Sequence, residues 1–224
     1  MGTADRIERE RQQKRTAILE AARELFVERG VEAVTLREVA QKIEYSTTAI
    51  YVHFGDKAAL VAAMIEEDFA AFSKGLEAAA SIVDPVERIV ALQTAYIDFA
   101  LSKPHHYQML FLTPPRGAEK IKDSTSPAGI QGYRVLLAAI EECLHTKRLR
   151  AELSDAAVLT QTVWATVHGM VSLRIVLGHQ PAFHWADLAT LADTVLATTV
   201  RGMLREPDDI DRYRSDKPKK RKKR

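Results

Sequence analysis

The chain has 224 residues, 46% hydrophobic and 28% charged, the balance of an ordinary globular protein long enough for one or two domains and a sizeable core. Its one cysteine, Cys143, excludes a disulfide framework and a zinc site built on several thiolates, and fits a cytosolic compartment. Net charge is +2, yet seven basic residues crowd into 217–224, and the other 25 basic and 30 acidic residues leave −5, so only a local pattern could announce a nucleic-acid partner.

Helical periodicity dominates, and the expected fold class is all-α with about nine helices. The first is expected over about Arg9–Arg29, with Ile18, Ala22, Leu25 and Phe26 on one face and Gly30 as its stop. The charged N-terminal residues 1–15 lack the apolar run of a secretory signal. Thr35 with Glu38 three residues on spells a capping box, opening a short helix striped by Leu36, Val39, Ala40 and Ile43. After a break at Glu44, Tyr45 and Ser46, a second short helix covers Thr47–Phe54 and ends at Gly55. Asp56 caps a long helix over 57–80.

Asp84 and Pro85 open a helix to about Leu101, and a shorter one covers about 105–112. The segment 113–127, rich in Pro, Gly and Ser, reads as a mobile loop. A helix follows over about 128–147. Ser154 is the expected cap of a helix ending near Gly178, and 18 of its residues, 156–173, carry no Asp, Glu, Lys or Arg. Its threonines, Gln161 and His168 argue for burial in protein on most sides and against a lipid span, so no membrane partner is expected. The last helix is expected over about Trp185–Leu204. From 207 onward polarity and charge predict a disordered basic tail. The expected domains are 1–56, 57–206 and the tail 207–224.

Two short helices separated by three residues are the grammar of a helix-turn-helix. On the helix 47–54, Ile50 and Phe54 face a core, while Thr47, Thr48 and Tyr51 fall on the opposite side. Hydroxyls and a phenol there can bond base edges or phosphates, and the methyls of Ala49 and the threonines can touch thymine. Lys57 and the first N–H groups of the next helix suit a phosphate. Arg6, Arg9, Arg11, Lys14 and Arg15 form a basic arm diluted by Asp5, Glu8 and Glu10. The same spacing also fits a plain helical hairpin with solvated polar residues.

The run AILEAARELFVERGVEAVTLREVAQKIEYSTTAIYVHFGDKAAL, residues 17–60, carries Ile18, Ala21, Ala22, Leu25, Phe26, Gly30, Thr35, Ala40, Ser46, Ile50, Tyr51, His53, Phe54, Lys57 and Leu60. In these it closely resembles the DNA-binding domain of the TetR family of bacterial transcriptional regulators. It departs from that pattern at Ile43, Glu44 and Tyr45, where a small Ala-Gly-Val-like run is usual, and at Thr48, where glycine is usual. The resemblance implies a symmetric homodimer on double-stranded DNA, with Thr47, Thr48, Tyr51 and His53 at the DNA surface and Lys57 on a phosphate. With Thr35, Ser46 and Ala49 these form the candidate DNA-binding set.

Trp164, His168 and Gly169 stand as W-x3-HG on the uncharged helix and resemble a C-terminal domain type named for those residues. In the family the last two long helices form the dimer interface, and this region encloses a small-molecule effector. The candidate lining is Phe72, Tyr96, Phe99, Tyr107, Phe111, Tyr133, Trp164 and His168, aromatic residues that suit core packing equally well. No catalytic motif, metal site or cofactor is read, since the seven histidines are scattered and adjacent His105 and His106 do not share a helix face. The expected function is a cytoplasmic, sequence-specific regulator, a repressor released from a palindromic operator by a ligand. The alternative is a ligand-independent, architectural DNA-binding protein.

Overall fold

The computed structural model describes residues 2–112 and 127–206, the side chains of 127–129 excepted. The mobile loop and the basic tail expected from sequence lie outside the described residues, apart from Pro127, which starts a helix. Among the described residues there are nine α-helices and no strand. They are α1 (Thr3–Arg29), α2 (Leu36–Lys42), α3 (Thr47–Phe54), α4 (Lys57–Ala80), α5 (Pro85–Ser102), α6 (Pro104–Tyr107), α7 (Pro127–His145), α8 (Ala156–Leu177) and α9 (Leu188–Met203). A π-helical turn, Gln108–Leu112, continues α6. No single described helix is long and apolar enough to cross a membrane.

Several boundaries differ from expectation for local reasons. α1 begins six residues early, because pairs such as Arg6–Glu10 and the Gln12–Glu8 hydrogen bond support helix where no apolar face exists. α8 is capped by Asp155, not Ser154: the Asp155 carboxylate accepts from the N–H groups of Ala157 and Val158 at 2.9 and 3.0 Å. α9 starts after Trp185, where Asp187 accepts from Thr190 N–H.

The described residues form two compact units, one of 2–72 with 102–112 and 127–129, the other of 73–101 with 130–206. The first reaches past the domain boundary expected at Asp56/Lys57. Its core joins Ile18, Ala22 and Phe26 of α1, Val39 of α2 and Ile50 of α3 to Leu60, Val61 and Met64 of α4 and to Met109. The first turns of α4 thus complete a core that α1 and the two short helices α2 and α3 share. Charged staples join the same helices: Arg29 meets Glu38 at 2.8 Å and Lys42 meets Glu24 at 3.0 Å.

Arg23 of α1 and Asp68 of α4 are fully buried. The Asp68 carboxylate accepts from Arg23 Nη2 at 2.6 Å and Nε at 3.1 Å, and lies 2.7 Å from His106 Nδ1 on α6. Glu20 closes the group, 2.9 Å from Arg23 Nη1 and 3.6 Å from His106 Nε2. Three helices therefore share one buried charge cluster.

In the second unit, α8 packs on α9, and α5 and α7 complete the core with Ile89, Leu92, Ile140 and Cys143. Burial pushes the Cys143 thiol up to about 12, which leaves it protonated and inert at neutral pH. The segment after α7 is tied to the end of α9 by Arg150 N–H to Met203 O and Arg205 N–H to Arg148 O, each 2.9 Å.

Candidate nucleic-acid interface

The turn between α2 and α3 sets the presentation of α3. Tyr45 N–H bonds Ala40 O at 2.9 Å, and Glu44, in the middle of the three atypical residues, takes φ 57°. That left-handed conformation is one a glycine adopts freely and a glutamate adopts at a cost of about 1 kcal/mol. The Ser46 hydroxyl then accepts from Ala49 N–H at 3.2 Å and starts α3.

Ile50 and Phe54 anchor α3 inward. Thr48 and Tyr51 are exposed, Tyr51 by 52%, so the phenol stands free of the core. Thr47 and Ala49 are partly covered. Val52, 75% exposed, shares this outward surface with Thr48 and was missed by sequence reasoning. An apolar side chain offered no hydrogen-bonding signal, although its methyls suit the thymine C5-methyl.

Thr35 is exposed, but its hydroxyl is engaged in the capping box: it accepts from Glu38 N–H at 3.2 Å and donates to Glu38 Oε2 at 2.8 Å. The backbone N–H of Thr35, then Arg29 and the Thr35 hydroxyl, lower the Glu38 pKa to about 2. Thr35 thus fixes the start of α2 first and faces outward second. At the start of α4, Asp56 Oδ1 takes the Ala59 N–H at 2.7 Å. The Lys57 ammonium donates to Glu32 O at 3.4 Å, which places it beside the α1–α2 connection.

His53 is partly covered. Burial, and then the charges of Arg11, Lys14 and Arg15, hold its imidazole below its ordinary value. These cations of α1 therefore lie close to the end of α3. Arg15 also sits 5.3 Å from the centre of the Phe54 ring and pairs with Glu67. The basic arm is a continuous helix that brings positive charge beside α3.

The eight candidate pocket residues fall into two sets. Phe72, Tyr107 and Phe111 belong to the first unit, where Phe111 packs at 5.8 Å from Phe72 and 5.1 Å from Tyr107. Tyr96, Phe99, Tyr133, Trp164 and His168 belong to the second. There Tyr96 Oη lies 2.9 Å from His168 Nδ1, Trp164 Nε1 donates to Tyr96 Oη at 3.4 Å, and Tyr133 stacks edgewise on Trp164. Burial lowers the His168 pKa. Among the described residues no three His, Cys, Asp or Glu side chains converge to hold a metal.

A family model described as bacterial regulatory proteins, tetR family, matches residues 18–64. A second, the tetracyclin repressor-like C-terminal domain, matches residues 89–210, more than half of the chain. The chain belongs to the TetR family. As a member it is a DNA-binding transcriptional regulator. The chain is 29% identical over 147 residues to the HTH-type transcriptional activator FasR of Mycolicibacterium smegmatis, covering 58% of this chain and 67% of FasR. It is 35% identical over 92 residues to the HTH-type transcriptional regulator UidR of Escherichia coli, covering 39% of this chain and 47% of UidR. The ketosteroid transcriptional regulator KstR2 of Mycobacterium tuberculosis has the same fold, with TM-score 0.69 at 18% identity, covering 86% of this chain and 95% of that one. So does FadR of Bacillus subtilis in complex with stearoyl-CoA, with TM-score 0.69 at 16% identity, covering 84% and 98%.

Proposed function

We propose that this TetR-family regulator is a cytoplasmic homodimeric repressor whose two α3 helices read a palindromic operator and which a small, mostly apolar effector releases. The observation that carries the reading is the division of α3: Ile50 and Phe54 are buried, while Thr48, Tyr51 and Val52 face outward. Thr47, Thr48, Tyr51 and Val52 contact base edges, and Ser46, His53 and Lys57 approach the backbone. Thr35 contributes by fixing α2.

The homodimer is supported by the outward face of α8. Val158, Thr162, Ala165, Leu173 and Val176 are exposed at helical spacing and carry no charge. A Cβ added at Gly169 would meet nothing within 4 Å, so this subunit's own packing does not require a glycine there. On α9, Thr190, Thr194, Thr198 and Gly202 form a second exposed, uncharged stripe. A second copy of the two helices can bury both stripes. Trp164, His168 and Gly169 would then be the W-H-G signature of the C-terminal domain, with the two aromatic residues on the effector side and the glycine on the partner side.

The effector acts only by favouring one arrangement of the dimer over another. α4 runs from the unit that holds α3 into the unit that holds Tyr96 and His168, and it carries that preference. Testing uses variants of the full chain. Thr48→Ala and Tyr51→Ala relax operator choice by about 10-fold each, about 1–3 kcal/mol per base contact, while Lys57→Ala weakens binding to all duplexes alike. Unchanged operator discrimination in both α3 variants refutes the assignment.

A further inference from the structure

Among the described residues, the core of the second unit contains a side-chain amide whose burial no hydrogen bond in the subunit compensates. Gln93 of α5 is 2% exposed, and neither its amide nitrogen nor its amide oxygen has a hydrogen-bond partner. An interior amide left unpaired is destabilising, and an apolar side chain in its place would avoid that cost. Gln93 and Tyr96 are three residues apart on α5, both buried, so their side chains are neighbours on one helix face. Tyr96 is bonded to His168 and Trp164 of α8. The unpaired amide therefore adjoins an aromatic cluster whose polar atoms are already engaged with one another.

We propose that Gln93 is the polar anchor of the effector site, and that the effector is a neutral, largely apolar molecule with one group that both donates and accepts a hydrogen bond. This rests on the effector-released regulator proposed above and names its ligand class. The amide NH2 needs an acceptor and the amide oxygen needs a donor. A carboxamide or hydroxyl supplies both. A carboxylate supplies acceptors only and would leave the Gln93 oxygen facing negative charge. α8 has no charged side chain between Asp155 and Arg174, so it offers no cation to hold an anionic head. Burial holds the His168 imidazole below its ordinary value, so at the pH 8 of the test below it adds no positive charge beside Tyr96.

The test uses the full-length protein with decanamide, methyl decanoate and decanoate at pH 8, read by tryptophan fluorescence and by release of a bound duplex. Wild type binds decanamide at least 10-fold more tightly than decanoate, with methyl decanoate, an acceptor only, between them. Gln93→Leu and the near-isosteric Gln93→Met bind decanamide at least 10-fold more weakly, yet their ligand-free thermal midpoints are equal to or above that of wild type. Unchanged decanamide affinity in both variants overturns the anchor, as does a lowered midpoint in both, which makes the amide a structural group. Decanoate bound as tightly as decanamide overturns the neutral class. Either of these results leaves the effector-released regulator standing. Failure of all three probes to bind overturns the proposal together with the effector reading beneath it.

Discussion

The cluster of Arg23, Asp68, His106 and Glu20 makes a demanding prediction. Asp68→Ala removes the acceptor of three contacts at 2.6–3.1 Å. The Arg23 guanidinium, 1% exposed, is left with Glu20 alone, a carboxylate half open to water. Truncating one partner of a fully buried ion pair costs about 3–5 kcal/mol, mostly the penalty of the stranded charge. Replacing both charges by apolar groups of similar volume is close to neutral, so Arg23→Met with Asp68→Leu recovers most of that loss. Urea unfolding followed by circular dichroism, at fixed protein concentration because a dimer's midpoint depends on it, reads both. With a slope of about 2–3 kcal/mol/M the single variant's midpoint falls by about 1–2.5 M, and the double variant returns to within about 0.5 M of wild type. A single-variant loss under about 1 kcal/mol, or a double variant as unstable as the single, refutes the assignment of a stranded buried charge.

Two further expectations concern pH. Glu38 titrates near 2 in the folded chain against an ordinary 4.5, so its stabilisation is complete above 4.5 and disappears as pH falls from 4.5 to about 2; Glu38→Gln flattens the acid unfolding profile in that window, and an unchanged profile contradicts the capping box as its cause. His53 is depressed below 6.5, so its contribution to stability is complete above 6.5 and falls as the unfolded chain protonates below it. A phosphate beside α3 opposes the field of Arg11, Lys14 and Arg15, so the His53 ring pKa measured by NMR rises when a duplex binds; a fall, or no change, removes His53 from the DNA surface.

Local features were legible and long-range ones were not. The bounds of α3 and α4, the Thr35 cap and the inward pair Ile50 and Phe54 follow from caps and periodicity within a few residues. Asp155 was mistaken for Ser154 because adjacent residues of the same capping class cannot be ranked without coordinates. The helical start of α1 was missed because its support is charge pairing and not an apolar stripe. Asp68 lies 45 residues from Arg23, and no pattern within one helix announces their contact. Gln93 carried no signal either: a glutamine on an amphipathic helix reads as solvated until its burial is seen. The aromatic residues were found, but only the coordinates divide them between the two units.

Selection of bound duplexes from a random pool by the full-length protein tests the central claim most directly. The expected enriched sequence is a palindrome with half-site centres one helical turn apart, about 34–36 Å, and with Tyr51→Ala its preference over other duplexes falls about 10-fold while general affinity persists. Recovery of no common sequence, or an undiminished preference for the same sequence by the Tyr51→Ala protein, would contradict the account of α3 as the reading element.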